Sequence, residues 1–226
     1  MAHALGPAAL LHGALASLEN AARLSEDAKV LFVHRRFASA ITLATFAREE
    51  LGRYNLILEQ FQRIDPHDSV AVDYLNALCE DHVRKLDWGQ SITLVPLSAS
   101  RLAEFQSAAA SGDIEAMKKV MDDVHAAHKA KRKRDPHSVH ERRERSLYAD
   151  ALPNGDWNRP DRATEEEARV LIHMVCCEYS NAILVYFNNT ALRVAYERHS
   201  VPLNLAQLQT SMVSAMKLPM SNREHG

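Results

Sequence analysis

Apolar residues recur along this chain at intervals of three and four rather than in alternation, the spacing of helices and not of strands. Read together with their breakers, they predict helices over 6–33, 37–63, 69–87, 99–110, 112–133, 138–147, 164–199 and 203–215. "DPHDS" at 65–69 parts the second helix from the third, because a residue before proline resists α geometry and Asp68 or Ser69 can cap the third helix. "VPLSAS" does the same ahead of the fourth, with Ser98 or Ser100 as cap, and Ser111-Gly112 divides the next two. Thr164-Glu165-Glu166-Glu167 is a capping box that opens the last long helix. One segment breaks the period: "SLYADALPNGDWNRP" reads as two extended arms about an Asn154-Gly155 turn, a small hairpin or flap near residues 147–160.

The helix at 37–63 is apolar on two faces, as an interior helix of a bundle is, yet both faces carry polar intruders. Leu43, Phe46, Tyr54, Ile57 and Phe61 form a stripe with Glu50 in its middle. Phe37, Ala40, Ile41, Ala44, Ala47, Leu51 and Leu58 form another, interrupted by Arg48 and Asn55. His82 shares a stripe with Leu75, Leu78 and Leu86, and Glu178 and Arg193 lie among Leu171, Val175, Ala182 and Leu192. Burying such groups singly costs several kcal/mol, so they are expected to pair with one another or to line a cleft. Glu50 is expected to be buried and paired with His82, Lys85 or Arg145, and Glu49 to be the more exposed of the two acids. The alternatives are a structural network of buried ion pairs and an interhelical active site in which a histidine transfers protons.

Length and composition add bounds. The chain has 226 residues, 46% hydrophobic and 25% charged, which suits one globular all-α domain spanning 1–226. A formal charge of −2 gives no global basic field, so any nucleic-acid contact must be local. The one strongly basic run is "HKAKRKRDPHSVHERRER" at 128–145. From it Lys129, Lys131, Arg132, Lys133, Arg134, Arg142 and Arg143, with Tyr148 beside it, are candidate RNA-binding residues. Three cysteines give no disulfide framework, the N-terminal stretch lacks a basic n-region, and no apolar run is long enough to span a membrane. A soluble cytoplasmic protein without membrane association is expected. No glutamate has a histidine three residues later, as a carboxylate-bridged dimetal bundle requires, and no phosphate-cradling glycine loop or zinc or serine-hydrolase motif occurs. Neither metal nor cofactor is expected.

Three segments together resemble the AbiV-type abortive-infection proteins. "FAREELGRYNLIL" is similar to their Glu-Glu-Leu-Gly-Lys helix, with Glu49, Glu50, Leu51 and Gly52 matching and Arg53 in place of the lysine. "DHVRK" supplies the family's His-x-x-Lys as His82 and Lys85, and "RERSLYADALPNGDWNRPDRATEEEARVLI" the remaining segment, with Arg145 or Arg143 as the counterpart of its arginine. The resemblance runs over most of residues 15–195 and is specific from Tyr148 to Pro160. It implies a HEPN-like helical bundle, frequent homodimers, and metal-independent RNA cleavage marked by an arginine followed four to six residues later by a histidine. Arg132–His137, Arg134–His140 and Arg193–His199 have that spacing, but about three such pairs arise by chance in this composition, so spacing alone selects none.

The resemblance therefore implies an anti-phage protein acting on RNA or the ribosome. A histidine, His82 or His199, would move protons at an attacking 2′-hydroxyl. Arg145, Lys85 or Arg193 would hold the phosphate, and Glu50 would support them. A phage-encoded protein is an expected trigger. The competing class is a catalytically silent helical module that recognises a phage or host protein.

Overall fold

The computed structural model describes residues 3–90, 135–149 and 156–202, with isolated positions at 104, 107, 116, 119, 120 and 210. Helix α1 (Pro7–Val33) begins with proline at its first turn, where the missing N–H costs nothing. It buries Leu11, Ala14, Leu15, Leu18, Ala21, Ala28 and Phe32 along one stripe. Its end is a Schellman turn: Arg35 takes a left-handed φ of 57°, Arg35 N–H donates to Phe32 O (2.9 Å) and Arg36 N–H to Leu31 O (2.9 Å). The reversal leads directly into α2 (Phe37–Arg63), and these two long helices pack side by side along much of their length. Both expected spans, 6–33 and 37–63, are found.

Helix α2 is the axis of the bundle. It touches α1, the later helices α4 (His82–Gln90) and α5 (Asp135–Leu147), and α6 (Glu165–Asn188). Its Ala40, Ile41, Ala44, Ala47 and Leu51 are fully enclosed, while Leu43, Phe46 and Phe61 are only partly covered. Small alanines on the enclosed face let neighbouring helices approach closely.

The helix expected over 69–87 is instead three pieces. Val70–Ala71 (β2) is drawn out as a short strand against Ala4–Leu5 (β1), antiparallel, with Leu5 opposite Val70. Helix α3 (Val72–Glu80) comes next, and Asp81 then ends it with extended backbone at φ −70° and ψ 102°. The Asp81 carboxylate accepts from Arg84 N–H at 2.9 Å, capping α4. An aspartate's local hydrogen bond here outweighs continuation of the helix. The last long helix is broken in the same way. Helix α6 stops at Asn188, and Asn189 accepts from Leu192 N–H (3.0 Å) to start α7 (Thr190–Arg198). The capping box is present, with Thr164 N–H donating to Glu167 Oε2 (2.9 Å) and Glu167 N–H to Thr164 Oγ1 (3.2 Å).

Of the flap, Tyr148–Ala149 and residues 156–159 are non-helical, and a 3-10 turn at Pro160–Arg162 leads to α6. Its expected turn at Asn154-Gly155 lies outside the described residues, as do the expected helices over 99–110, 112–133 and 203–215, apart from those isolated positions.

Candidate functional site

Two adjacent residues of α2, the polar intruder Arg48 and its neighbour Glu49, organise two separate clusters. Arg48 points toward α6 and forks onto Glu178, with Nε 3.0 and 2.9 Å from the two carboxylate oxygens and Nη2 2.7 Å from Oε1. Both side chains are almost wholly excluded from water, so removing either leaves an unpaired interior charge. Asn55 donates to Trp88 O at 2.7 Å and ties α4 to α2.

One residue on, Glu49 gathers the other cluster. Its Oε2 lies 2.7 Å from His82 Nδ1 and 3.2 Å from Lys85 Nζ, and its Oε1 accepts from Arg143 Nη1 at 3.0 Å. The Glu49 side chain is 4% exposed and the His82 side chain 45%. A carboxylate only accepts, so the 2.7 Å contact places a proton on His82 Nδ1 and leaves Nε2 as the free nitrogen. The approach of Arg143 Nη1 to Nδ1 at 3.3 Å then brings two donors together and is no hydrogen bond. The His140 ring lies nearly parallel to that of His82, 20° apart with centroids 6.1 Å distant. The Arg143 guanidinium rests over Phe46 at 5.8 Å.

Glycine makes this cluster possible. A Cβ on Gly52 would sit 1.8 Å from Lys85 O, and one on Gly89 2.7 Å from Arg48 O. Helix α4 therefore crosses α2 backbone to backbone, which is how the short reach from Glu49 to His82 and Lys85 arises. Thr42 Oγ1 and Ser146 Oγ, 2.9 Å apart, seat α5 on the other side so that Arg143 can close the cluster.

The expectation for Glu50 is corrected. Glu49 is the buried acid that pairs with His82 and Lys85, while Glu50 is partly covered and bridges its own helix neighbour Arg53 at 3.2 Å. Lys85 is buried against Glu49, and Arg143, rather than Arg145, contributes the arginine. Arg145 is exposed and faces elsewhere, into a cavity of about 150 Å³ lined also by Arg142, Arg159, Arg162, Ser146 and Glu167. Arg193 is exposed on α7, and His199 stacks edge-on against Phe61 (6.1 Å). Phe61 is twelve residues beyond Glu49, about 18 Å along the helix. The structure does not bring Arg193 or His199 to Glu49. Tyr148 is exposed, whereas Lys129, Lys131, Arg132, Lys133 and Arg134 lie outside the described residues. His140 is a residue that sequence reasoning does not single out for the site. Its only signal there is the Arg134–His140 spacing; the His140 ring stacks on His82, while the His137 side chain lies outside the described residues. Among the described residues no group of histidine, cysteine and carboxylate side chains is arranged to hold a metal ion.

Against known proteins, the HEPN_AbiV family model, described as AbiV, matches residues 9–175. That is well over half of the chain, which therefore belongs to the AbiV family, an abortive-infection, HEPN-like family. The matched span holds Glu49, His82, Lys85, His140 and Arg143 and ends before Arg193 and His199. No match was found among curated proteins or solved structures. No helix among the described residues is long and apolar enough to cross a membrane.

Proposed function

We propose that this member of the AbiV family is a metal-independent endoribonuclease that arrests phage-infected cells by cutting RNA, with Glu49, His82, His140 and Arg143 as its centre. The observation that carries the reading is the 2.7 Å contact between a buried, doubly cation-held carboxylate and an imidazole that is itself 45% exposed. A carboxylate that fixes the tautomer and ring plane of a histidine leaves the opposite nitrogen poised for proton transfer. His82 Nε2 would take the proton of an RNA 2′-hydroxyl, whose oxygen attacks the adjacent phosphorus. His140, stacked alongside, would return a proton to the departing 5′-oxygen. Atoms balance as a transesterification: the O2′–P bond forms, the P–O5′ bond breaks, and a 2′,3′-cyclic phosphate results. Lys85 and Arg143 hold Glu49 in place, a positioning role. The reading includes a homodimer, which the exposed Val170, Leu184 and Val194 along α6 and α7 support as apolar area available for a second copy.

The test is incubation of purified protein with single-stranded RNA in the presence of a chelator, then mapping of fragment ends. Cyclic or 3′-phosphate ends, lost in His82→Ala, are the expected result. Intact RNA at high protein excess would overturn the enzyme and favour a recognition module. Light scattering at micromolar protein reads the oligomeric state, and a strict monomer would refute the dimer.

A further inference from the structure

On the face of α5 next to Arg143, the chain presents a second basic feature that the proposed chemistry does not use. Arg142 and Arg145 from α5, Arg162 from the 3-10 turn and Arg159 just before that turn line one cavity of about 150 Å³. Arg159 is engaged by Asp161 (3.1 and 2.6 Å). Arg142, Arg145 and Arg162 form no salt bridge among the described residues. Among the described residues the one carboxylate lining the cavity, Glu167, already accepts from the Thr164 N–H and hydroxyl. Its carboxyl is held below the ordinary range, first by the Thr164 backbone N–H, then by the Thr164 hydroxyl and the charges of Arg142 and Arg145. Several guanidinium forks arriving from two elements suit a tetrahedral, multiply charged oxyanion better than a planar carboxylate.

The cavity is smaller than the roughly 300 Å³ at which pockets for whole ligands begin, so it takes one group of a larger molecule. The rest must lie along the rim. Trp157, the chain neighbour of the cavity-lining Asn158, is 62% exposed and Tyr148 51%, unusual for side chains of this size. Asn158 joins them to the cavity wall, its amide donating to Arg145 O (2.8 Å) and to Tyr148 O. Aromatic faces beside a basic groove are the pattern of single-strand recognition, in which bases stack while cations track the backbone.

We propose that the Arg142–Arg145–Arg162 cavity is a phosphate subsite for single-stranded RNA, with Tyr148 and Trp157 as the platform for the flanking bases. This rests on the proposed RNA chemistry for the identity of the ligand, and on the geometry for the phosphate contact. It places the strand along α5, leading from the Glu49 cluster toward the flap.

The experiment is fluorescence anisotropy of a labelled short oligouridylate over a salt series, using the full-length protein and its His82→Ala form. In Arg142→Ala/Arg162→Ala the affinity falls at least tenfold, and the slope of log affinity against log salt shrinks by about 1.4, near 0.7 for each lost contact to a single strand. Trp157→Ala weakens binding about 5- to 150-fold, the range of one lost base stack. Arg36→Ala, an exposed arginine at the α1–α2 turn, removes charge elsewhere and leaves the slope unchanged. Because Arg142 and Arg162 anchor no ion pair among the described residues, urea midpoints of the variants stay near wild type, which separates binding loss from misfolding. Inorganic phosphate competes for the site in the parent and not in the double variant. Unchanged affinity and slope in the double variant overturn the subsite even if RNA is cut. Equal affinity for duplex and single strand overturns the aromatic platform. Arginine-dependent binding without any cleavage leaves the subsite standing and removes the nuclease reading instead.

Discussion

Replacing Glu49 with glutamine tests the central cluster most directly. The substitution keeps the shape of the side chain and removes its charge, leaving Lys85 and Arg143, 4% and 7% exposed, without their shared counter-ion. Breaking a buried pair from one side costs about 3–5 kcal/mol, because the partners' desolvation is no longer offset. Against a total stability of about 5–15 kcal/mol this is a large fraction. The neighbouring Glu50→Gln change serves as the internal comparison. Among the described residues Glu50 bridges only Arg53 on its own helix, a partly exposed i,i+3 pair, and such pairs contribute about 0.2–0.5 kcal/mol. Urea unfolding monitored by far-UV circular dichroism reads both. With a slope of about 2–3 kcal/mol per molar urea, the Glu49→Gln midpoint drops by about 1–2.5 M and the Glu50→Gln midpoint by no more than about 0.3 M. Equal midpoints for the two variants, or a Glu49→Gln loss below about 1 kcal/mol, would refute the assignment of Glu49 as the buried hub. In that case α4 and α5 do not converge on it.

Gly52→Ala places a methyl 1.8 Å from Lys85 O. It forces α4 away from α2, and the expected result is a loss of more than about 3 kcal/mol in urea together with any His82-dependent cleavage. Glu167 has a depressed carboxyl pKa through Thr164, Arg142 and Arg145, so its stabilising contribution is complete above the ordinary value of 4.5 and is lost as pH falls through the lower folded value. The urea midpoint of Glu167→Gln is therefore expected to vary less than wild type between about pH 5 and pH 3, and an identical pH profile would count against the cap. Cys176 is 3% exposed and burial pushes its thiol up to about 11; alkylation at neutral pH is expected to spare it in the native protein and to modify it after unfolding, as mass spectrometry of digests reports.

The local features are legible from residues alone, because they depend on neighbours in the chain. The α1 and α2 spans, the capping box at Thr164 and the presence of ionisable groups on interior faces all come from helical spacing and short-range hydrogen bonding. Two helix breaks, at Asp81 and Asn189, escape that reading because apolar periodicity continues on both sides; a single side-chain oxygen decides each one locally, against the pattern. The identity of the buried acid is a different matter. Glu49 and Glu50 are adjacent on one helix and differ by about 100° of rotation, and α2 is covered on nearly all sides. Which acid faces inward depends on where α4 and α5 dock, and that is set by Gly52 and Gly89 allowing backbone contact and by Ser146 meeting Thr42. The same docking brings Arg143 from 94 residues away to Glu49 and turns Arg142 and Arg145 to a separate cavity. Periodicity shows that α2 is interior, but a charge on it acquires a partner only when another helix arrives. That arrival is a long-range packing choice that no local pattern encodes.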